Sequence, residues 1–314
     1  MVIHLKQIDY SNIKKDHFTV QGYVIIEDEI WISAYHSKKR RKKDQSELYN
    51  SRIYVYKKTG ELKTYYILRN HAHVGGITYD KENKIVFITS YYGKIDAYDY
   101  EKLKTIDNHI IKKNVRMTCP ININDGLKKR KFSPYRAATI TMYQNNLYIA
   151  TFEKKGKLVK VIYKRKEDKI EVEEISLVTE IGGAVQGIFL YQKNNICYLV
   201  ESSSCSNIKT SGIRITDMTN QKFIASININ RRGLEGIYVD KEECLTGIFE
   251  FDQQIIGRYQ IKDIIKEYQN AKQNILETSI KDFYKKYDTS IYEKRAGIDR
   301  KILYIKDLVK YKKM

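Results

Sequence analysis

A short glycine-centred phrase recurs along this chain, nearly always at the head of an alternating apolar run, and nothing else in the sequence constrains the fold as strongly. Its fullest copy is Gly233-Leu234-Glu235-Gly236-Ile237-Tyr238-Val239-Asp240. Versions of it stand upstream at Val20-Gln21-Gly22-Tyr23, Val74-Gly75-Gly76-Ile77, Ala137-Ala138-Thr139-Ile140 and Val185-Gln186-Gly187-Ile188. The starts at Gly22, Gly76, Thr139, Gly187 and Gly236 lie 54, 63, 48 and 49 positions apart. Self-similarity at such a period marks an array of small units, none of which buries its apolar faces alone.

Each unit reads as consecutive short strands. The first pairs 22–26 with 30–35 around Glu27-Asp28-Glu29, then 52–56 with 62–67 around Lys58-Thr59-Gly60. The second ends with a fourth strand over 102–106, the third and fourth show four strands each, and the fifth shows three before position 262. The fold class is therefore all-β, and regularly spaced four-stranded units predict a five-bladed β-propeller. Residues 1–14 read as a strand with no neighbour, so they are expected to complete the last blade and close the ring, removing an exposed edge. A sixth blade hidden in 103–135 is the alternative. From Lys262 the apolar period becomes three to four residues, which predicts helix over 262–287 and again over 299–312. The expected organisation is a propeller over 1–261 and a helical C-terminal extension over 262–314 packed on its outside.

The blade starts 234–240 and 74–85 resemble those of the broad SMP-30, NHL and YncE-like propeller grouping, as a repeat pattern over 1–261. The resemblance implies the same fold. SMP-30-type lactonases carry a metal-binding Glu at a Glu-Gly-Pro blade start; Glu235-Gly236 matches the first two positions, with Ile237 where Pro is expected.

Composition bounds the partners. The net charge is +19, but Lys is spread from Lys6 to Lys313 among abundant Ile, Asn and Tyr. A dispersed excess of this kind aids solubility more than it draws a nucleic-acid footprint. The densest charge, Lys38-Lys39-Arg40-Arg41-Lys42-Lys43, falls between two strands of the first blade and reads as a solvated loop; a contact for phosphate or anionic lipid is the alternative. No signal peptide and no apolar run long enough to span a membrane is apparent, so a cytoplasmic monomer is expected. Cys119, Cys197, Cys205 and Cys244 show neither a CxxC pair nor metal-ligand spacing.

In a propeller the blade-start strand lies nearest the axis, so the residue before each glycine is expected at the axial channel or its mouth. Those positions are Gln21, Gly75, Ala138, Gln186 and Glu235. His73 and Arg136 stand just upstream of two starts. Tyr35-His36, Ser90-Tyr91, Phe152-Glu153, Glu201 to Ser204 and Phe249-Glu250 end the second strands, which converge on the same funnel. His71-Ala72-His73 reads as alternation on one strand, with both rings on one face. The leading expectation is a non-catalytic propeller that binds a small ligand or a protein partner at this funnel through Gln21, His36, His73, Arg136, Gln186, Glu201 and Glu235. The alternative is a hydrolase of lactonase, phosphoesterase or glycosidase type. It would use Glu201 and Glu235 as an acid–base pair, or Glu235, Glu201, His73 and His36 as ligands of a divalent cation.

Overall fold

The computed structural model describes residues 11–37, 49–127, 134–153, 155–204, 211–229, 233–250 and 257–277. Five antiparallel sheets succeed one another along the chain. Blade one holds β1 (Phe18–Ile26), β2 (Glu29–His36), β3 (Arg52–Lys57) and β4 (Leu62–Ile67). Blade two holds β5 (Ile77–Asp80), β6 (Ile85–Thr89) and β7 (Ile95–Asp99). Blade three runs β8 (Ala137–Tyr143), β9 (Asn146–Thr151), β10 (Gly156–Lys166) and β11 (Lys169–Ile181). Blade four runs β12 (Val185–Lys193), β13 (Ile196–Ser203), β14 (Ser211–Asp217) and β15 (Lys222–Ile229), and blade five runs β16 (Leu234–Val239), β17 (Cys244–Phe249) and β18 (Gly257–Gln260).

The first strand of each sheet lies innermost, and these strands touch in the order β1, β5, β8, β12, β16 and back to β1. That cyclic order is a closed five-bladed ring. The recurrent glycines explain how five strands converge so tightly. A Cβ on Gly76 would stand 2.6 Å from the backbone nitrogen of Ile140, and one on Gly187 only 2.5 Å from the carbonyl oxygen of Glu235. Neither has a positive φ, so what these positions require is space for a neighbouring backbone rather than unusual dihedrals. At the glycine level each inner strand packs backbone on backbone against its neighbour in the ring.

The apolar faces of the strands form five buried clusters, one at each blade junction. Trp31, Val55, Val86 and Tyr98 lie between blades one and two, Phe87, Ile140 and Val159 between two and three, and Leu158, Val185 and Leu199 between three and four. Ile213, Ile227, Leu245 and Phe249 fill the junction of blades four and five, while Ile13, Phe18, Tyr23 and Ile248 close five onto one. No blade has a core of its own, so each is stable only between neighbours.

One expectation is revised, and the alternative of a sixth blade falls away. The stretch 102–106 is not a strand: α2 (Tyr100–Lys104) forms there because the Asp99 side chain caps it by accepting from the Lys102 N–H. The outer edge of blade two is instead covered by an irregular stretch, where Asp99 N–H donates to the Val115 carbonyl, Met117 N–H to Ala97 and Ile95 N–H to Ile121. The described part of 103–135 is thereby used up on blade two, and the ring has no sixth blade. The closing strand expected over 1–14 falls outside the described residues up to Tyr10, and Ser11–Lys15 is the short helix α1. Blade five shows three strands among the described residues.

The C-terminal helix α3 (Ile261–Glu277) packs Ile261, Ile264 and Tyr268 against blades four and five, with Tyr268 edge-to-face on Phe223 at 5.5 Å. The rest of the predicted helical region lies outside the described residues. Among those described, no helix is long and apolar enough to cross a membrane.

Candidate functional site: a polar axial mouth

The inner strands are irregular at one end. Their registers slip between Val20 and Tyr23, Ala137 and Thr139, Val185 and Gly187, and Leu234 and Ile237. The same bulge thus recurs in four blades, at Gln21, Ala138, Gln186 and Glu235, and bulges re-aim side chains. In blade two the chain enters β5 through Val74 at φ 47°, where Ser33 Oγ donates to its carbonyl at 2.8 Å. A β-branched residue at positive φ is a strained conformation held by its surroundings.

Glu235 is the most unusual of these residues. It is 1% exposed, its Oε1 accepts from Ser204 Oγ at 3.1 Å, and its Oε2 is fully buried with no hydrogen-bond partner among the described residues. Ser202 Oγ donates to its carbonyl at 2.7 Å. Glu250, half-buried one residue past the end of β17, lies near enough to compete with it for a proton. Loss of hydration raises the Glu235 carboxyl well above the usual carboxylate range, and the neighbouring Glu250 charge raises it further. Burial pushes Glu250 up to about 7, against the opposing pull of Glu235 as a hydrogen-bond partner and of the Lys14 ammonium. The two carboxyls therefore bind protons as a pair, more tightly than free carboxyls do.

Tyr35 at the end of β2 feels the charges of both Glu250 and Glu235 and is raised, chiefly by burial. Its ring stacks on His73, with centroids 4.7 Å apart and planes at 25°. His73 is exposed yet hemmed in by protein, as a side chain lining a concave mouth should be. Loss of hydration lowers its pKa to about 4, with the Arg136 guanidinium adding to the effect, so the imidazole is neutral. Arg136 itself is exposed. The mouth therefore combines an acidic pair from blade five, a Tyr–His stack between blades one and two, and a cation entering blade three.

The other predicted residues are placed elsewhere or play lesser parts. Glu201 is not near Glu235. On β13, Ser202 and Ser204 face Glu235, so by strand alternation Glu201 points the other way. There it accepts from the Gly182 N–H at 2.8 Å and pairs with Arg214 at 3.5 Å. An acid–base pair of Glu201 with Glu235 is thus ruled out by strand parity. His36 is buried away from the mouth, edge-on to Phe18 at 5.0 Å and Tyr49 at 4.8 Å. The 71–73 segment is not a strand: His71 Nε2 bonds the His36 carbonyl at 2.8 Å while His73 stacks on Tyr35. The metal set of Glu235, Glu201, His73 and His36 is accordingly not assembled, and no three His, Cys, Asp or Glu among the described residues converge as metal ligands. Gln21 is buried, its Nε2 bonded to its own Val20 carbonyl, and Gln186 is half-buried. Lys38 to Lys43 lie outside the described residues. The partner of Glu235 is Glu250, which the sequence placed among the strand ends converging on the funnel but not among the candidate ligand-binding residues; it follows the strand paired to β16, and that pairing is the signal that separates it from Glu201.

Five sheets and a closed order of inner strands define a five-bladed β-propeller. No family model and no curated protein matches the chain. Among solved structures, it is similar to a glutaminyl cyclase of Myxococcus xanthus at 10% identity, over 81% of this chain and 94% of that one, with a TM-score of 0.46. It is also similar to the Dos1 propeller at 10% identity, over 73% and 53%, with a TM-score of 0.35.

Proposed function

We propose that the protein binds a small polar ligand carrying a basic nitrogen at the axial mouth. The observation behind this reading is the acidic pair: a buried Glu235 lies behind a half-buried Glu250, within reach of the accessible Tyr35–His73 stack. A cationic nitrogen at the mouth would favour the ionised form of Glu250, and the aromatic stack supplies a face for the attached carbon body. The test is calorimetric titration with ethylamine, phenethylamine and phenylacetate at pH 6 and pH 8. The amines should bind, more tightly at pH 8 where Glu250 is ionised, and Glu250→Gln should abolish this. Binding of the acid alone, or no binding by any of the three, would refute the reading.

A second reading is favoured by one specific feature. A carboxyl held at about 7 beside a second, fully buried and raised one has the form of a general acid and base. Turnover of chromogenic lactones, phosphoesters or glycosides that is lost in Glu235→Gln and Glu250→Gln would establish chemistry at the same mouth.

A further inference from the structure

The glycine contacts seal each inner strand to the next, and the end of the axis opposite the acidic mouth is hollow. A cavity of about 320 Å³ lies there, lined from all five inner strands by residues that follow the glycines, among them Val24, Tyr79, Met142, Phe189 and Tyr238. We propose that this second axial cavity is a binding site for an uncharged planar heterocycle of one or two rings, chemically akin to a nucleobase.

Four observations define the ligand. The volume sits at the lower end of the range for small-molecule pockets and suits a ring rather than a chain. The walls carry half-buried aromatic rings from three blades, Tyr79, Phe189 and Tyr238; Phe189 and Tyr238 meet edge-to-face at 5.1 Å, and Tyr79 is braced by Tyr100 at 4.8 Å. Braced rings offer flat faces with little ordering cost. Next, every inner strand is the terminal strand of its sheet, so its other edge, with backbone N–H and C=O groups, faces the axis. One such group, Met142 N–H, already uses the Thr78 hydroxyl at 3.2 Å. A ligand with donors and acceptors in its plane can meet these edges as a neighbouring strand would. Finally, the lining holds just one acidic and one basic residue, Glu27 and Lys81, both exposed at the rim, so the wall favours neither sign of charge. The inference does not depend on the acidic mouth, which lies toward the other end of the axis.

The test uses the whole chain with four probes: uracil and adenine, benzene as a flat ring lacking in-plane polar groups, and glucose as polar groups lacking a flat apolar face. Saturation-transfer NMR and a titration should show uracil and adenine binding, with benzene and glucose weaker or absent. Tyr238→Ala should weaken uracil at least about fivefold, the lower end of what one aromatic face contributes to holding a base. Phe189→Leu, which keeps apolar bulk and removes the ring, serves if the first variant does not fold. Equal binding of all four probes, or of none, overturns the proposal. Loss of uracil in Glu250→Gln with retention in Tyr238→Ala and Phe189→Leu would place the ring in the acidic mouth and overturn it as well.

Discussion

Replacing Glu250 with Gln keeps the shape of the side chain but removes the carboxyl that burial beside Glu235 holds at about 7. The consequence depends on pH, and its sign follows from linkage. Both carboxyls have folded pKa values above the unfolded 4.5, so the native state binds a proton that the unfolded chain releases. Stability present below pH 4.5 is lost as the pH rises through about 7, the value for Glu250. A carboxyl held at about 7 instead of 4.5 costs the folded state up to about 3 kcal/mol at pH 8. Glu250 is half-buried, so solvent screening brings the expected effect down to about 1–2 kcal/mol. Urea unfolding of wild type and Glu250→Gln at pH 5, 6, 7 and 8 measures this as a difference, in which titrations independent of the carboxyl pair cancel. The two proteins should match within about 1 kcal/mol at pH 5, and the variant should gain on wild type steadily above pH 6, by about 1–2 kcal/mol at pH 8. A difference that stays flat from pH 5 to 8 would show that no buried carboxyl pair is titrating and would remove the physical basis of the mouth described above.

Two further outcomes are expected. His73 should remain neutral down to about pH 4, so its ring carbon-bound protons should not shift in NMR between pH 8 and 5.5, and Arg136→Gln should move its pKa upward; titration of wild type near 6.5 would contradict its placement. Gly76→Ala forces a Cβ to 2.6 Å from the Ile140 nitrogen and should cost about 1–3 kcal/mol by urea unfolding, as overpacking does, without altering the pH dependence. A neutral effect there would mean that β5 and β8 do not pack backbone on backbone at this glycine.

The sequence by itself carried the repeat. Glycine before an alternating run, at a period of roughly fifty residues, leaves few architectures open, because each unit's apolar faces demand neighbours and a ring supplies them to every unit. It also pointed to Glu235 and His73, since the residues around a blade start must lie near the axis. It misplaced the last strand of blade two, because an Asp cap at position 99 turned 102–106 into helix and a stretch more than ten residues on covered the edge instead. Only the tertiary structure decided the company Glu235 keeps. Glu201 and Glu250 were equally good partners as letters, but strand alternation sends Glu201 toward blade three while the β16–β17 pairing brings Glu250 alongside. The structure alone also showed that neighbouring inner strands meet backbone to backbone at the glycines, with the acidic pair toward one end and an aromatic cavity toward the other. A sequence records that glycine lacks a side chain; whether the vacated space is filled by water or by the next blade's backbone depends on distances that arise only when all five strands meet.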